Sequence, residues 1–329
     1  MTDRPRVFVF RKVPFSDRIA EILGPVADLT FHETEDPPPE AMVRAALPEV
    51  AALLPTALDP VTAAMIEAAP RLKVVGNYGV GYNNVDVAAA TRRRIPVTNT
   101  PGVLTEATAD TTWALIMAVT RRTLEADAFV RAGKFDGWRA SLFPGMELAG
   151  RTLGIIGLGS IGQAVARRGL GFGMRVAYAG RRRAAPEVEA ALQARFAPLE
   201  GLLGQADIVS LHCPLSAETR HLLDARRLAL MKPTAYLINT ARGPVVEERA
   251  LVEALRAGRI AGAALDVYED EPRLAPGLAE LHNVVLFPHI GSSTLEAREG
   301  MARLVAENIR AALAGRRPLN IVNPEAWRA

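Results

Sequence analysis

The chain has 329 residues, 49% hydrophobic and 23% charged, with 39 Lys and Arg against 36 Asp and Glu for a formal net charge of +3. That length predicts two domains rather than one core, and so ordinary a composition excludes a disordered chain. Aromatic residues are only 5% and no basic stripe interleaves them, which argues against a nucleic acid partner; the one cysteine, Cys213, excludes an internal disulfide and a cysteine-built metal cluster.

Short apolar runs alternate with amphipathic stretches, the pattern of parallel α/β sheets. Strands are predicted over 7–10, 51–54, 73–75 and 96–98, with helices over 16–23, 39–46, 59–68 and 86–93 between them. Pro37-Pro38-Pro39 marks the loop that introduces the second helix. One long helix is predicted over 109–132, where Trp113, Ile116, Met117, Thr120 and Leu124 follow i, i+3, i+4, i+7, i+11 spacing. It packs either within its own chain or, by a second apolar face, against another copy. A second α/β series follows, with strands at 153–156, 175–178, 208–212, 235–239, 262–267 and 284–286, and a closing helix at 294–313. No apolar run approaches the about 18 residues of a membrane span, and MTDRPRVFVF carries no secretory leader. A cytoplasmic protein with no membrane partner is expected.

Gly157-Leu158-Gly159-Ser160-Ile161-Gly162 is a G-x-G-x-x-G between the strand at 153–156 and a helix at 163–172. In that setting the first two glycines permit a tight turn and close approach to a pyrophosphate, and the third lets helix and strand pack. Sites selective for NAD place a carboxylate about 20 residues later, on the ribose 2′-OH. Here Gly180-Arg181-Arg182-Arg183 stands in that place, with no carboxylate before Glu187. A guanidinium pairs with a 2′-phosphate that a carboxylate would repel, so NADP(H) is expected over NAD(H), with NAD(H) still possible. The contrary reading is three solvated arginines.

Polar residues collect at predicted strand ends in Asn239-Thr240-Ala241-Arg242-Gly243, in Asp266-Val267-Tyr268-Glu269-Asp270-Glu271-Pro272 and in Pro288-His289-Ile290-Gly291. With the glycine motif, with Asn77-Tyr78-Gly79-Val80-Gly81-Tyr82-Asn83-Asn84-Val85-Asp86 and with Thr98-Asn99-Thr100-Pro101-Gly102, these segments make the whole chain resemble the D-isomer-specific 2-hydroxyacid dehydrogenases. The last two stretches look most like the glyoxylate/hydroxypyruvate reductase branch. The resemblance implies that Arg242 binds and polarises a 2-oxo acid, that His289 is the general acid/base and that Glu271 is its paired carboxylate. Glu269 and Asp270 compete for that last role, but Glu271 directly precedes Pro272 as the family pattern asks.

The chemistry requires such groups. Hydride arriving at a carbonyl carbon leaves charge on oxygen, and a proton donor must stand within hydrogen-bond reach. A carboxylate beside a histidine favours its protonated form, and an arginine stays cationic. The resemblance gives Val80 and Gly81 the substrate carboxylate, which their loop suits if successive N–H groups form an anion nest. It places Asp266 near the nicotinamide amide, with Thr240, Ala241 and Gly291 lining the same pocket. It also implies a homodimer, with Trp138 reaching the other subunit's substrate pocket. His32, His212, His221 and His282 are expected at the surface or in caps, and Cys213 as a buried filler rather than a nucleophile.

The expected architecture is α/β, two Rossmann/flavodoxin-like domains with parallel sheets. A substrate domain formed by 1–102 and 292–329 is interrupted by an NADP-binding Rossmann domain at 103–291, and closure of the cleft between them excludes water. The expected reaction is reduction of glyoxylate or hydroxypyruvate. Phosphoglycerate or phosphite oxidation is the alternative within the family, and a dinucleotide-sensing corepressor the alternative outside catalysis. Formate dehydrogenases pair their histidine with glutamine, where Glu271 stands here.

Overall fold

The computed structural model describes residues 4–327; the start of the opening MTDRPRVFVF and the last two residues of the chain lie outside the described residues. The chain forms two compact units, one running up to Leu104 and resuming at Ser293, the other Thr105–Ser292. Among the described residues no helix is long and apolar enough to cross a membrane.

The first unit alternates β1 (Arg6–Val9), α1 (Ser16–Leu23), β2 (Asp28–Phe31), α2 (Glu40–Ala46), β3 (Val50–Leu54), α3 (Ala63–Glu67), β4 (Val74–Gly76), α4 (Val87–Arg92) and β5 (Val97–Thr98). Its strands pair in parallel in the order β2-β1-β3-β4-β5. All of Val50–Leu54 is buried, because a central parallel strand is covered on both faces and therefore reads as an unbroken apolar run.

The second unit contains α5 (Thr105–Arg121), α6 (Thr123–Arg131), β6 (Thr152–Ile156), α7 (Ser160–Gly171), β7 (Arg175–Ala179), α8 (Pro186–Leu192), β8 (Ala194–Phe196), α9 (Leu199–Gln205), β9 (Ile208–Leu211), α10 (Ala225–Leu228), β10 (Tyr236–Asn239), α11 (Glu248–Arg256), β11 (Gly262–Leu265) and β12 (Val284–Leu286). Seven parallel strands run in the order β12-β11-β10-β9-β6-β7-β8. The order reverses between β6 and β9, and a crevice forms at the carboxyl ends of the strands at such a reversal. The chain then returns to the first unit as α12 (Leu295–Leu313), which packs against α1 and β4. Thr294 caps α12, its hydroxyl accepting from Ala297 N–H at 3.1 Å.

The two parallel α/β layers follow the sequence reading, but the single helix expected over 109–132 is two. Arg122 adopts a left-handed conformation at φ 54° between α5 and α6. The carbonyl of Thr120 is taken by Met146 N–H at 2.9 Å instead of continuing the helix. Arg122 is fixed there by Glu125, with Nε to Oε1 at 3.0 Å and Nη2 to Oε2 at 2.7 Å, and its guanidinium lies 5.2 Å from the Phe143 ring centre. Within α5 the buried Thr112 and Thr120 hydroxyls donate to carbonyls four residues back, so each has a partner inside the helix. Trp113 ties α5 to α7: its indole N–H donates to Val165 O at 3.1 Å and its ring stacks on Phe172 at 4.4 Å.

Candidate active site

At the end of β6 the chain turns through Gly157 at φ +98°, and a Cβ there would lie 2.7 Å from Cys213 N and 2.8 Å from His212 O. Only glycine fits so close to β9's exit. A Cβ on Gly162 would lie 2.3 Å from Gly157 O, so α7 also needs glycine where it leaves the turn. At Gly159, by contrast, a Cβ would meet nothing within 4 Å. The bare backbone at the N-terminus of α7 therefore borders open space, which is the condition for a pyrophosphate to approach its N–H groups. Ser160 and Ile161 are the first residues of α7, and Leu158 lies in the turn.

A cavity of about 350 Å³ is lined by Leu158, Tyr178, Gly180, Arg181, Arg182 and Ala184. The three arginines divide. Arg183 is held by Glu189 (Nε to Oε1 2.9 Å, Nη2 to Oε2 2.8 Å), and Glu189 also accepts from the Tyr178 hydroxyl at 2.6 Å. Neither Arg181 nor Arg182 forms an ion pair among the described residues. Glu189 of α8 is thus already paired, and two cations line the cavity.

The polar segments at the ends of β10, β11 and β12 assemble within the second unit. Buried Asn239 pins its own turn: its Oδ1 accepts from Ala241 N–H and its Nδ2 donates to Arg242 O, both at 3.0 Å. Thr240 is buried and shares a hydrogen bond with Thr112 at 2.9 Å. The half-buried Arg242 has its basicity lowered by burial, which the charge of Glu271 opposes. His289 Nδ1 lies 2.8 Å from Glu271 Oε2, and Glu271 Oε1 accepts from Tyr268 N–H at 2.9 Å. Burial pushes the Glu271 carboxyl up, but the His289 hydrogen bond and charge, the Tyr268 N–H and the Arg242 charge together hold it below its ordinary range. It is ionised at neutral pH.

His289 itself sits in the left-handed region at φ 58°. Asp266 holds that turn, its two oxygens accepting from Ile290 and Gly291 N–H at 2.7 Å each. Both oxygens of this buried carboxylate face backbone donors, and a Cβ at Gly291 would press to 3.0 Å from Oδ2. Asp266 and Gly291 thereby orient the histidine that follows β12.

Of the four histidines expected at the surface or in caps, His212 and His221 make side-chain contacts within the second unit. His212 shares a hydrogen bond with Ser210 at 2.8 Å, and burial pushes its imidazole down to about 3, so it is neutral. His221 Nε2 lies 2.5 Å from Glu269 Oε1, a second histidine–carboxylate pair that sequence reasoning missed. Its one signal was Glu269, a rival for the role given to Glu271. Burial pushes the Cys213 thiol up to about 11, which leaves it protonated and a poor nucleophile.

Val80 and Gly81 lie in the first unit, in the loop after β4. Among the described residues neither backbone N–H has a protein acceptor. Trp138, in the stretch between α6 and β6, is 83% exposed.

Residues 113–291 match the model of the D-isomer specific 2-hydroxyacid dehydrogenase NAD binding domain. The chain is 47% identical to a glyoxylate reductase of Thermococcus litoralis, over 98% of both chains. It is 48% identical to one of Aeropyrum pernix, over 98% of this chain and 97% of the other. Among solved structures, an NADPH-dependent glyoxylate/hydroxypyruvate reductase of Sinorhizobium meliloti in complex with NADP and malonate is 35% identical over 99% of each chain, with a TM-score of 0.88. A strand-borne glycine turn, a histidine–carboxylate pair and an arginine on one sheet edge agree with those matches, and the chain belongs to the D-isomer-specific 2-hydroxyacid dehydrogenases.

Proposed function

We propose that the chain reduces glyoxylate or hydroxypyruvate to the corresponding 2-hydroxy acid, with NADPH preferred over NADH. The observation that carries this reading is the 2.8 Å His289–Glu271 pair within electrostatic reach of Arg242, in the unit that bears the glycine turn. The nicotinamide supplies the hydride when bound. Gly157, Gly159 and the N-terminus of α7, with Leu158, Ser160, Ile161 and Gly162, would hold its pyrophosphate; Gly180, Arg181 and Arg182 would face the 2′-phosphate. Thr240, Ala241, Asp266 and Gly291 are assigned to the nicotinamide side. Arg242 polarises the carbonyl and pairs with the carboxylate. His289, oriented by Glu271, gives a proton to the oxygen as hydride reaches the carbon, and takes it back in the oxidation direction. Val80 and Gly81 offer N–H groups to the substrate carboxylate.

Steady-state oxidation of NADPH and NADH with both acids tests the proposal, with an Arg181→Ala/Arg182→Ala variant beside the native chain. The expected result is faster turnover with NADPH, and a preference lost in the variant through a higher KM for NADPH. No turnover with either acid would overturn the substrate assignment. We extend the reading to a cytoplasmic homodimer: α6 buries none of its residues, and Phe135 and Trp138 beyond it are exposed. Sedimentation as a single chain would remove that part.

A further inference from the structure

We infer that Asn77 and Asn99 are positioning residues that aim the backbone N–H groups of the 79–82 loop at the substrate carboxylate, acting through the planar peptides of the loop. The inference rests on the role proposed for Val80 and Gly81, and names the side chains that create it.

Every carbonyl from Gly79 to Gly81 is held from the protein side. Asn77, buried directly after β4, donates from Nδ2 to Gly81 O at 2.8 Å and lies 3.4 Å from Gly79 O. Gly79 O also accepts from Thr100 N–H at 3.1 Å. Asn99 donates from Nδ2 to Val80 O at 2.7 Å. The orientation of the Asn77 amide is itself fixed. Its Oδ1 accepts from Asn84 Nδ2 at 3.0 Å, and that nitrogen also faces Thr56 O and Asp59 O at 2.9 Å each. A nitrogen surrounded by acceptors leaves the amide only one assignment.

A trans peptide is planar, and its C=O and N–H point in opposite directions. The only cis peptide among the described residues is Glu271–Pro272, so those in this loop are trans. With the carbonyls of 79, 80 and 81 drawn toward the two asparagines, the N–H groups of Val80, Gly81 and Tyr82 must turn the other way. None of the three donates to a protein acceptor among the described residues. Val80 and Gly81 are half-buried and Tyr82 is exposed. Three successive N–H groups turned to one side make a concavity for an anion, and a carboxylate is such an anion. Tyr82 N–H joins the set as a third donor that the motif alone did not single out.

If the asparagines only closed a turn, their loss would lower stability and leave the affinity for carboxylates untouched. The two roles therefore separate in kinetics. Asn99 is the cleaner probe, because among the described residues its side chain makes only the Val80 bond, whereas Asn77 is buried in a network and its variants risk the fold. The experiment measures KM and kcat for glyoxylate, the inhibition constant of oxamate (an unreactive carboxylate of similar size), the NADPH dissociation constant by fluorescence and the thermal midpoint, for native chain, Asn99→Ala and Asn99→Asp. Asn99→Ala is expected to raise KM and the oxamate constant together by about tenfold, with kcat changed less than about threefold and NADPH binding unchanged, as loss of binding shared by ground and transition state demands. Asn99→Asp, which replaces the donor with a repelling acceptor, is expected to raise both further. A folded Asn99→Ala chain with native KM and oxamate constant overturns the inference, as does a loss confined to kcat. Native enzyme that oxamate fails to inhibit competitively would overturn the carboxylate reading of the loop, and the inference with it.

Discussion

Two histidine–glutamate pairs lie within the second unit, and their resemblance is close. His289 meets Glu271 at 2.8 Å and His221 meets Glu269 at 2.5 Å. Both histidines are left-handed, at φ 58° and 51°. What separates them is the company of each carboxylate. Glu269 Oε2 accepts from Glu248 N–H at 3.1 Å, while Glu248 Oε2 accepts from Glu269 N–H at 2.8 Å and Glu248 Oε1 from Ala275 N–H at 3.1 Å. His221 N–H donates to Pro244 O and Leu223 N–H to Val245 O, so this pair staples the Arg242 loop to the 269 turn. Glu271 has the Arg242 charge as a neighbour, and its histidine is followed by two N–H groups fixed on Asp266. A short histidine–carboxylate distance is thus no mark of chemistry by itself. Arg242 rather than Arg220 beside the carboxylate, and the clamp of Asp266 on the two N–H groups after the histidine, distinguish the pair proposed to react from the one that braces.

The strongest way to break that comparison is to exchange each histidine for glutamine. His289→Gln is expected to lower kcat for 2-oxo acid reduction by about a thousandfold, the scale of a lost general acid, and His221→Gln by less than about tenfold. Equal losses in parallel steady-state assays would erase the distinction. Glu271→Gln sharpens it. Glu271 is held low and stays charged through neutral pH, so the variant removes a full negative charge 2.8 Å from His289 Nδ1. Without that charge the proton leaves more readily, and the alkaline limit of kcat/KM for reduction is expected at lower pH. An unshifted pH profile would deny Glu271 its role. The smallest effect belongs to Glu269→Gln, in a pair whose side chains are 38% and 28% exposed, with an expected loss of about 1 kcal/mol. Burial raises Glu269, but the hydrogen bond and charge of His221, with Glu248 N–H and Arg220, bring it below its ordinary range. Its contribution is therefore present above the unfolded carboxylate value of about 4.3 and lost as pH falls through the lower folded one. Thermal midpoints of native and variant chains should converge at acid pH; a gap that persists there would point to packing rather than charge.

Much of the candidate site was legible because each residue proposed for it follows a strand inside a recognisable segment. Arg242, Glu271 and His289 converge within one unit from positions that spacing alone does not join. The pair His221–Glu269 escaped because its members are 48 residues apart and His221 sits in no segment read for chemistry. In the fold, the strands left unread were β2 and β8, both at sheet edges. Edge strands are short and partly solvated, so they lack the apolar run that reveals a central strand. The helix read over 59–68 shrank to α3 because Asp59 is drawn to Thr56 and Arg11, and Val61 bridges to Val85. The break at Arg122 depended on Met146, 26 positions after Thr120, and no local signal announces such a partner.

The stacking of Trp113 on Phe172 sets one of the chain's three tryptophans apart. The indole of Trp113 is 5% exposed, hydrogen-bonded to a carbonyl of α7 and covered by a second ring, while that of Trp138 is 83% exposed. One emits from apolar surroundings directly behind the helix that begins at the glycine turn, the other from water. Trp327 is only partly buried, so of the three indoles Trp113 is the one sealed from water, and the bluest part of the emission is expected to report the packing of α5 against α7.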